Sequence, residues 1–118
     1  MSKSSRQYLV DLRAYAAKVA HFSSGGREAF YADEMIQFAI IRAYEVIGEI
    51  AKHLPTDLLA QQPQIEWQDI KEFRDFLAHN YDRVRIDIVW GAVEKLPTLI
   101  AAIDDLLASL PPEHKPDN

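Results

Sequence analysis

Cysteine is absent from the 118 residues, and that absence closes several chemistries at once. A disulfide framework, a thiolate nucleophile, a zinc–thiolate site and an iron–sulfur cluster are all excluded, and a reducing compartment is compatible. Long apolar runs are also missing. The longest mainly apolar stretch, residues 86–110, is broken by Asp87, Glu94, Lys95, Pro97, Asp104 and Asp105, so it does not suit a helix lying in hydrocarbon. The first six residues are polar, with Asp11 and Arg13 close behind, which does not make a secretory signal. A cytoplasmic chain without membrane contact is expected. Positive charge is scarce as well: thirteen basic against eighteen acidic side chains leave a net charge of −5. This argues against a general polyphosphate-binding surface, and any nucleic-acid site has to be local.

What remains is an ordinary globular composition, 48% apolar and 26% charged, in a length suited to one domain. Such a chain buries roughly two-thirds of its unfolded surface, enough to fold without disulfides or metal. Apolar residues recur with a period near 3.6 almost throughout, and no stretch alternates long enough to make a strand, so the fold class is all-α. A first helix is expected over about 5–22, ended by Ser23-Ser24-Gly25-Gly26, where glycine supplies the positive φ a helix terminus wants. After a short turn holding Phe30 and Tyr31, a second helix runs over 33–53. Its Ile36, Ile40, Ala43, Ile47, Ile50 and Leu54 share one side; Glu34, Arg42, Glu45, Glu49 and Lys52 gather opposite, which reads as a solvated face laced by ion pairs.

Pro55 stops that helix, a short piece follows over 58–61, and a third long helix spans 67–78, burying Ile70, Phe73 and Leu77. Asn80-Tyr81-Asp82 reads as a turn, with Asn and Asp tolerating left-handed geometry. The fourth helix starts near 86 and is kinked or split by Pro97. The expected architecture is an antiparallel four-helix bundle with short extra helices over 1–110, followed by a polar flexible tail, 111–118. The last helix carries Val89, Trp90, Leu99, Ile100, Ile103 and Leu106 on more than one face; that apolar surplus points to a homodimer.

The histidines, His21, His53, His79 and His114, make no metal-ligand pattern of known type, so neither metal nor cofactor is expected. One stretch stands out. Residues 74–81, Arg-Asp-Phe-Leu-Ala-His-Asn-Tyr, form an R-x4-H-x-Y arrangement at the end of a helix. A permanent cation, Arg74, and an imidazole, His79, are held about one turn apart. A guanidinium stabilises charge building on phosphate oxygens and an imidazole moves a proton, which suits phosphoryl chemistry. The same spacing also suits a plain helix end at which His79 meets the macrodipole and Arg74 pairs with Asp75 or a neighbour.

This motif and its surroundings resemble the HepT-like branch of the HEPN superfamily. The resemblance is carried by residues 41–52 (IRAYEVIGEIAK), 63–70 (PQIEWQDI), the motif at 74–81 and 87–90 (DIVW), in the family's order, and it covers roughly 8–107. It implies a dimeric α-bundle ribonuclease toxin, acting on RNA without metal, whose two motifs meet in an interface cleft. It also implies a partner, a minimal nucleotidyltransferase antitoxin that transfers AMP to the tyrosine. Carried over, Arg74 and His79 are the catalytic candidates and Tyr81 is the AMP acceptor. Asp75 and Asn80, the supporting positions, stand where many relatives have Asn and Gly. Arg83 and Arg85 are candidates for flanking RNA phosphates, or surface residues answering Asp82 and Asp87. The chemistry expected is 2′-hydroxyl attack assisted by His79, leaving a 2′,3′-cyclic phosphate. The alternative is a catalytically silent HEPN module that binds a partner protein or nucleotide, to be favoured if Arg74 and His79 do not converge on a cleft.

Overall fold

The computed structural model describes residues 3–80 and 83–111. Those residues form seven helices and no strand: α1 (Ser5–Phe22), α2 (Gly26–Ala32), α3 (Glu34–Lys52), α4 (Thr56–Leu59), α5 (Trp67–His79), α6 (Ile86–Glu94) and α7 (Leu96–Ser109). None is long and apolar enough to cross a membrane. The proposed tail beyond 111, and Tyr81 with Asp82 in the expected turn, lie outside the described residues.

Local chemistry accounts for the helix boundaries. Ser4 and Gln7 close a reciprocal capping box at the start of α1: the Gln7 amide N–H donates to Ser4 Oγ at 3.1 Å, and the Ser4 N–H donates to Gln7 Oε1 at 2.8 Å. Gly26 takes φ +89° between α1 and α2, so the paired glycines serve the expected purpose. Asp33 caps α3 by accepting the Met35 N–H at 2.8 Å. Pro97 splits the last apolar segment at Lys95, falling in the first turn of α7, where a missing N–H costs least. Two expectations change. Phe30 and Tyr31 lie in a helix, α2, with Phe30 fully buried against Trp90 at 5.2 Å between centroids. Asn80 has φ −129°, outside the left-handed region.

Helix α3 is the centre of the bundle, packing α1 on one side and α5 on another, while α7 covers α1 and α2 bridges α3 and α6. Helices α1 and α7 run antiparallel: Arg6 reaches the Leu107 carbonyl, and Arg13 pairs with Asp104 at 2.8 Å. The start of α1 meets the end of α3, where Tyr8 stacks on His53 with planes 6° apart. The core draws on every long helix, with Leu9, Leu12, Ile40, Ile47, Leu77, Val89, Ile103 and Leu106 fully buried.

The apolar surplus expected on the last helix is absorbed within one chain. Val89, Leu99, Ile103 and Leu106 are buried, and Trp90 and Ile100 are packed against the core. Dimerisation therefore loses that particular argument. Large apolar side chains do stand exposed, Ile88 on α6 itself and Val10, Met35, Phe38 and Phe76 on other helices. On α5, Leu77 is fully buried, but Ile70 and Phe73 are only partly so, because they line a groove of about 710 Å³ between α5 and α6–α7.

Candidate functional site

Helix α5 ends as the motif requires. Its last turn is closed by Asn80, whose backbone N–H and side-chain Nδ2 both donate to the Phe76 carbonyl, at 2.9 and 3.1 Å. The Asn80 carbonyl also accepts the Arg83 N–H at 2.8 Å. Asn80 is thus a C-cap, and its backbone conformation is one in which glycine is not needed. Within this turn, His79 is exposed, with Nδ1 lying 2.8 Å from the Asp75 carbonyl. A carbonyl can only accept, so Nδ1 carries the proton. In the neutral ring Nε2 then holds the lone pair.

Arg74 is held differently. Its side chain is about one-third exposed, with NH1 3.3 Å from Asp75 Oδ1 and Nε 3.2 Å from Glu49 Oε1 on α3. The Nε is fully buried and the Glu49 oxygen lies off its N–H direction, so this contact is an ion pair without an aligned hydrogen bond. Asp75 in turn accepts from Lys52 of α3 at 2.5 Å. That hydrogen bond, with help from Arg74, holds the Asp75 carboxyl below its usual range, so it is ionised throughout neutral pH. Glu49 also faces His53, at 3.5 Å from Oε2 to Nε2.

Close approach of the two helices makes this network possible. A Cβ placed on Gly48 would lie 2.2 Å from Arg74 Cβ, 2.9 Å from Arg74 Cγ and 3.0 Å from the Ile70 carbonyl oxygen. The glycine is a slot for the Arg74 stem, and it lets Glu49 and Lys52, one and four residues further on, reach Arg74 and Asp75.

The motif residues are therefore joined through Asp75: Arg74 on its carboxylate, His79 on its carbonyl. Neither Arg74 nor His79 lines the 710 Å³ groove, which is walled by Tyr44, Ile70, Phe73, Phe76, Ile88 and Leu99 among others. The cleft on which they were to converge is thus not that groove. Tyr44 is buried there with its hydroxyl unpartnered among the described residues, and burial pushes its phenol well above the usual range. Arg85 is engaged by Asp87 through two contacts of 3.2 and 2.7 Å, which favours its surface-pair role; Arg83 is exposed. Among the described residues no three His, Asp or Glu side chains gather as a metal-ligand set.

Comparison with known proteins bears directly on this helix-end arrangement. A family model described as Ribonuclease HepT-like matches residues 12–106, from inside α1 to the end of the core in α7. The chain belongs to the HepT-like family. It is 34% identical over 108 residues to a Thermococcus cleftensis protein named "Probable ribonuclease HepT", covering 90% of this chain and 98% of that one. A Methanocaldococcus jannaschii protein provisionally named as an RNase is 32% identical over 115 residues, covering 96% and 95%. A third, from Caldanaerobacter subterraneus and named in the same way, is 32% identical over 81 residues, covering 68% and 72%. No solved structure matches significantly.

The all-α fold agrees with HepT-like membership, and the resemblance read from the motif blocks is borne out at the level of family. Sequence reasoning missed Gly48, Glu49 and Lys52 as site residues. Glu49 and Lys52 do lie on a partly solvated face laced by ion pairs, but their partners are Arg74 and Asp75 of α5, so they form the α3 wall of that cluster. One signal was present: a glycine in the middle of a 19-residue helix costs stability unless something approaches it closely.

Proposed function

We propose that this HepT-like chain is a metal-independent endoribonuclease acting as the toxin of a toxin–antitoxin pair. The observation that carries the reading is the His79 ring, tied at Nδ1 to the Asp75 carbonyl, which leaves Nε2 as an exposed base on the same helix end as the Arg74 guanidinium. His79 Nε2 takes the proton of an RNA 2′-hydroxyl, and the oxygen forms a bond to the adjacent phosphorus. The bond to the 5′-oxygen breaks, and that oxygen takes a proton from water or from His79 of a second copy. Arg74 offsets the extra charge on the non-bridging oxygens. The products are a 2′,3′-cyclic phosphate and a 5′-hydroxyl. Glu49, Lys52, Arg74 and Asp75 sum to zero formal charge, so a second copy bringing its own Arg74 and Arg83 would also supply the field that one chain lacks.

Exposed apolar side chains offer a seat for a second copy on the helix that carries the motif. Phe76 and Ile88, 39% and 45% exposed, rim the groove on α5 and α6, and Phe76 is three residues from His79. The purified protein is expected to be a dimer by light scattering and to cleave RNA in excess EDTA, leaving 3′ ends without a free hydroxyl until the cyclic phosphate is opened and the phosphate removed. Monomeric protein, or cleavage abolished by chelator, would count against this reading. The location of the groove, away from Arg74 and His79, favours the second reading, a silent module that docks a partner there; intact RNA after incubation would select it.

Regulation follows from Tyr81, two residues beyond His79. A nucleotidyltransferase partner would transfer AMP from ATP to the Tyr81 hydroxyl, with pyrophosphate leaving, and so place an anion beside Arg74 that competes with RNA phosphate. Tyr81→Phe is expected to keep cleavage while escaping neutralisation. Intact-mass and peptide mass spectrometry after incubation with partner and ATP check this, and AMP found on another residue would refute it.

A further inference from the structure

Arg74 is held across the helix interface by a residue outside the motif. Asp75 is its neighbour on the same helix and is already engaged by Lys52 at 2.5 Å. Asp75 cannot by itself set the direction of the guanidinium relative to α3. Glu49 can. Its Oε1 lies 3.2 Å from the buried Arg74 Nε, and its Oε2 faces His53, whose ring is stacked on Tyr8 of α1. The carboxylate thus lies between the His53 ring and one edge of the guanidinium.

We propose that Glu49 is a positioning residue that turns the Arg74 guanidinium so that its NH1–NH2 edge faces the substrate phosphate; this rests on the ribonuclease reading above. An arginine side chain has large rotamer freedom, and a planar fork is useful to a phosphate only when aimed. The Glu49 contact occupies the Nε side and Asp75 takes one N–H of NH1, so NH2 and the second N–H of NH1 remain for the ligand. Because both partners are partly exposed, the pair adds little to stability, so its effect belongs to orientation.

Removal of Glu49 has two consequences of opposite sign. The guanidinium loses its aim, and misplacement of about 1 Å at a reacting centre costs on the order of 10²-fold in rate. At the same time a negative charge leaves the vicinity of the phosphate, which strengthens ground-state attraction. Glu49→Ala is therefore expected to lower kcat by ~10- to 100-fold while KM stays level or falls, with the melting temperature unchanged. Glu49→Gln keeps the side-chain shape and a polar oxygen beside Nε but not the charge of the ion pair, so it should recover part of the lost kcat. A residue that merely supports the fold would instead lower the melting temperature and leave KM unimproved.

The test pairs RNA cleavage kinetics of wild-type, Glu49→Ala and Glu49→Gln chains with NMR of the arginine Nε–H groups, the Arg74 signal being identified with Arg74→Lys. In the wild type that signal should exchange slowly, and in Glu49→Ala it should shift and exchange faster. Cleavage and KM unchanged in Glu49→Ala would overturn the proposal even though the ribonuclease reading stood. If the wild type cleaves no RNA, that reading fails, and the NMR comparison still decides whether Glu49 holds Arg74: an unaltered Nε–H signal overturns it.

Discussion

Gly48→Ala is expected to destabilise the protein and impair the site, although helix propensity alone predicts the reverse. Alanine in a helix interior is favoured over glycine by about 1 kcal/mol. Against that, the new Cβ would lie 2.2 Å from Arg74 Cβ and 3.0 Å from a backbone oxygen, atoms that cannot swing aside. Ordinary carbon contacts are ~3.5–4.0 Å, so α5 has to move off α3 by more than an ångström. Overpacking of this kind costs up to about 3 kcal/mol. The net loss is then on the order of 2 kcal/mol, or roughly 10 °C in melting temperature for a domain of this size. Because the Cβ pushes on Arg74 itself, cleavage should fall further than the loss of folded protein explains. Thermal unfolding followed by circular dichroism decides the sign, and an unchanged or raised melting temperature would show that the α3–α5 approach is not tight.

His79→Ala and Arg74→Ala should each nearly abolish cleavage, with different effects on the fold. His79 is exposed, and the ring contact that orients it is to the Asp75 carbonyl, so its loss should leave the melting temperature almost unchanged. Removing a general base costs ~10²- to 10⁴-fold in rate, and removing a group that stabilises transition-state charge ~10²- to 10³-fold. Arg74→Ala also strips Glu49 and the Arg74 side of Asp75 of their cation, while Lys52 still serves Asp75. Arg74→Lys keeps the charge but loses the planar fork, and should remain strongly impaired. The double variant should be little worse than either single one, since residues acting in one step are not additive. Rates within a few-fold of wild type in both single variants would remove the catalytic assignment.

Much of the fold was legible along the chain because a helix writes its own axis into the sequence. The period of Ile40, Ala43, Ile47 and Ile50 names the buried side of α3, and all four are buried. Ser4, Asp33 and Pro97 mark helix starts through hydrogen bonds and a missing donor, interactions that span only a few residues. The motif at α5 was legible for the same reason, being a local spacing of two side-chain types at a helix end.

Periodicity gives angles about one helix and says nothing of which neighbour stands opposite. Glu49 and Lys52 fall on the polar side of α3 by their period, yet that side is where the charged edge of α5 arrives. The last helix looked too apolar for one chain because the burial supplied by α1 and α2 cannot be counted from the α6–α7 segment alone. Composition and local pattern determined an all-α chain with an arginine and a histidine at one helix end. Tertiary packing decided the tie of Arg74 to Glu49 and of Asp75 to Lys52, because those contacts depend on how closely α5 approaches α3, and that distance is set by the side chain Gly48 does not have.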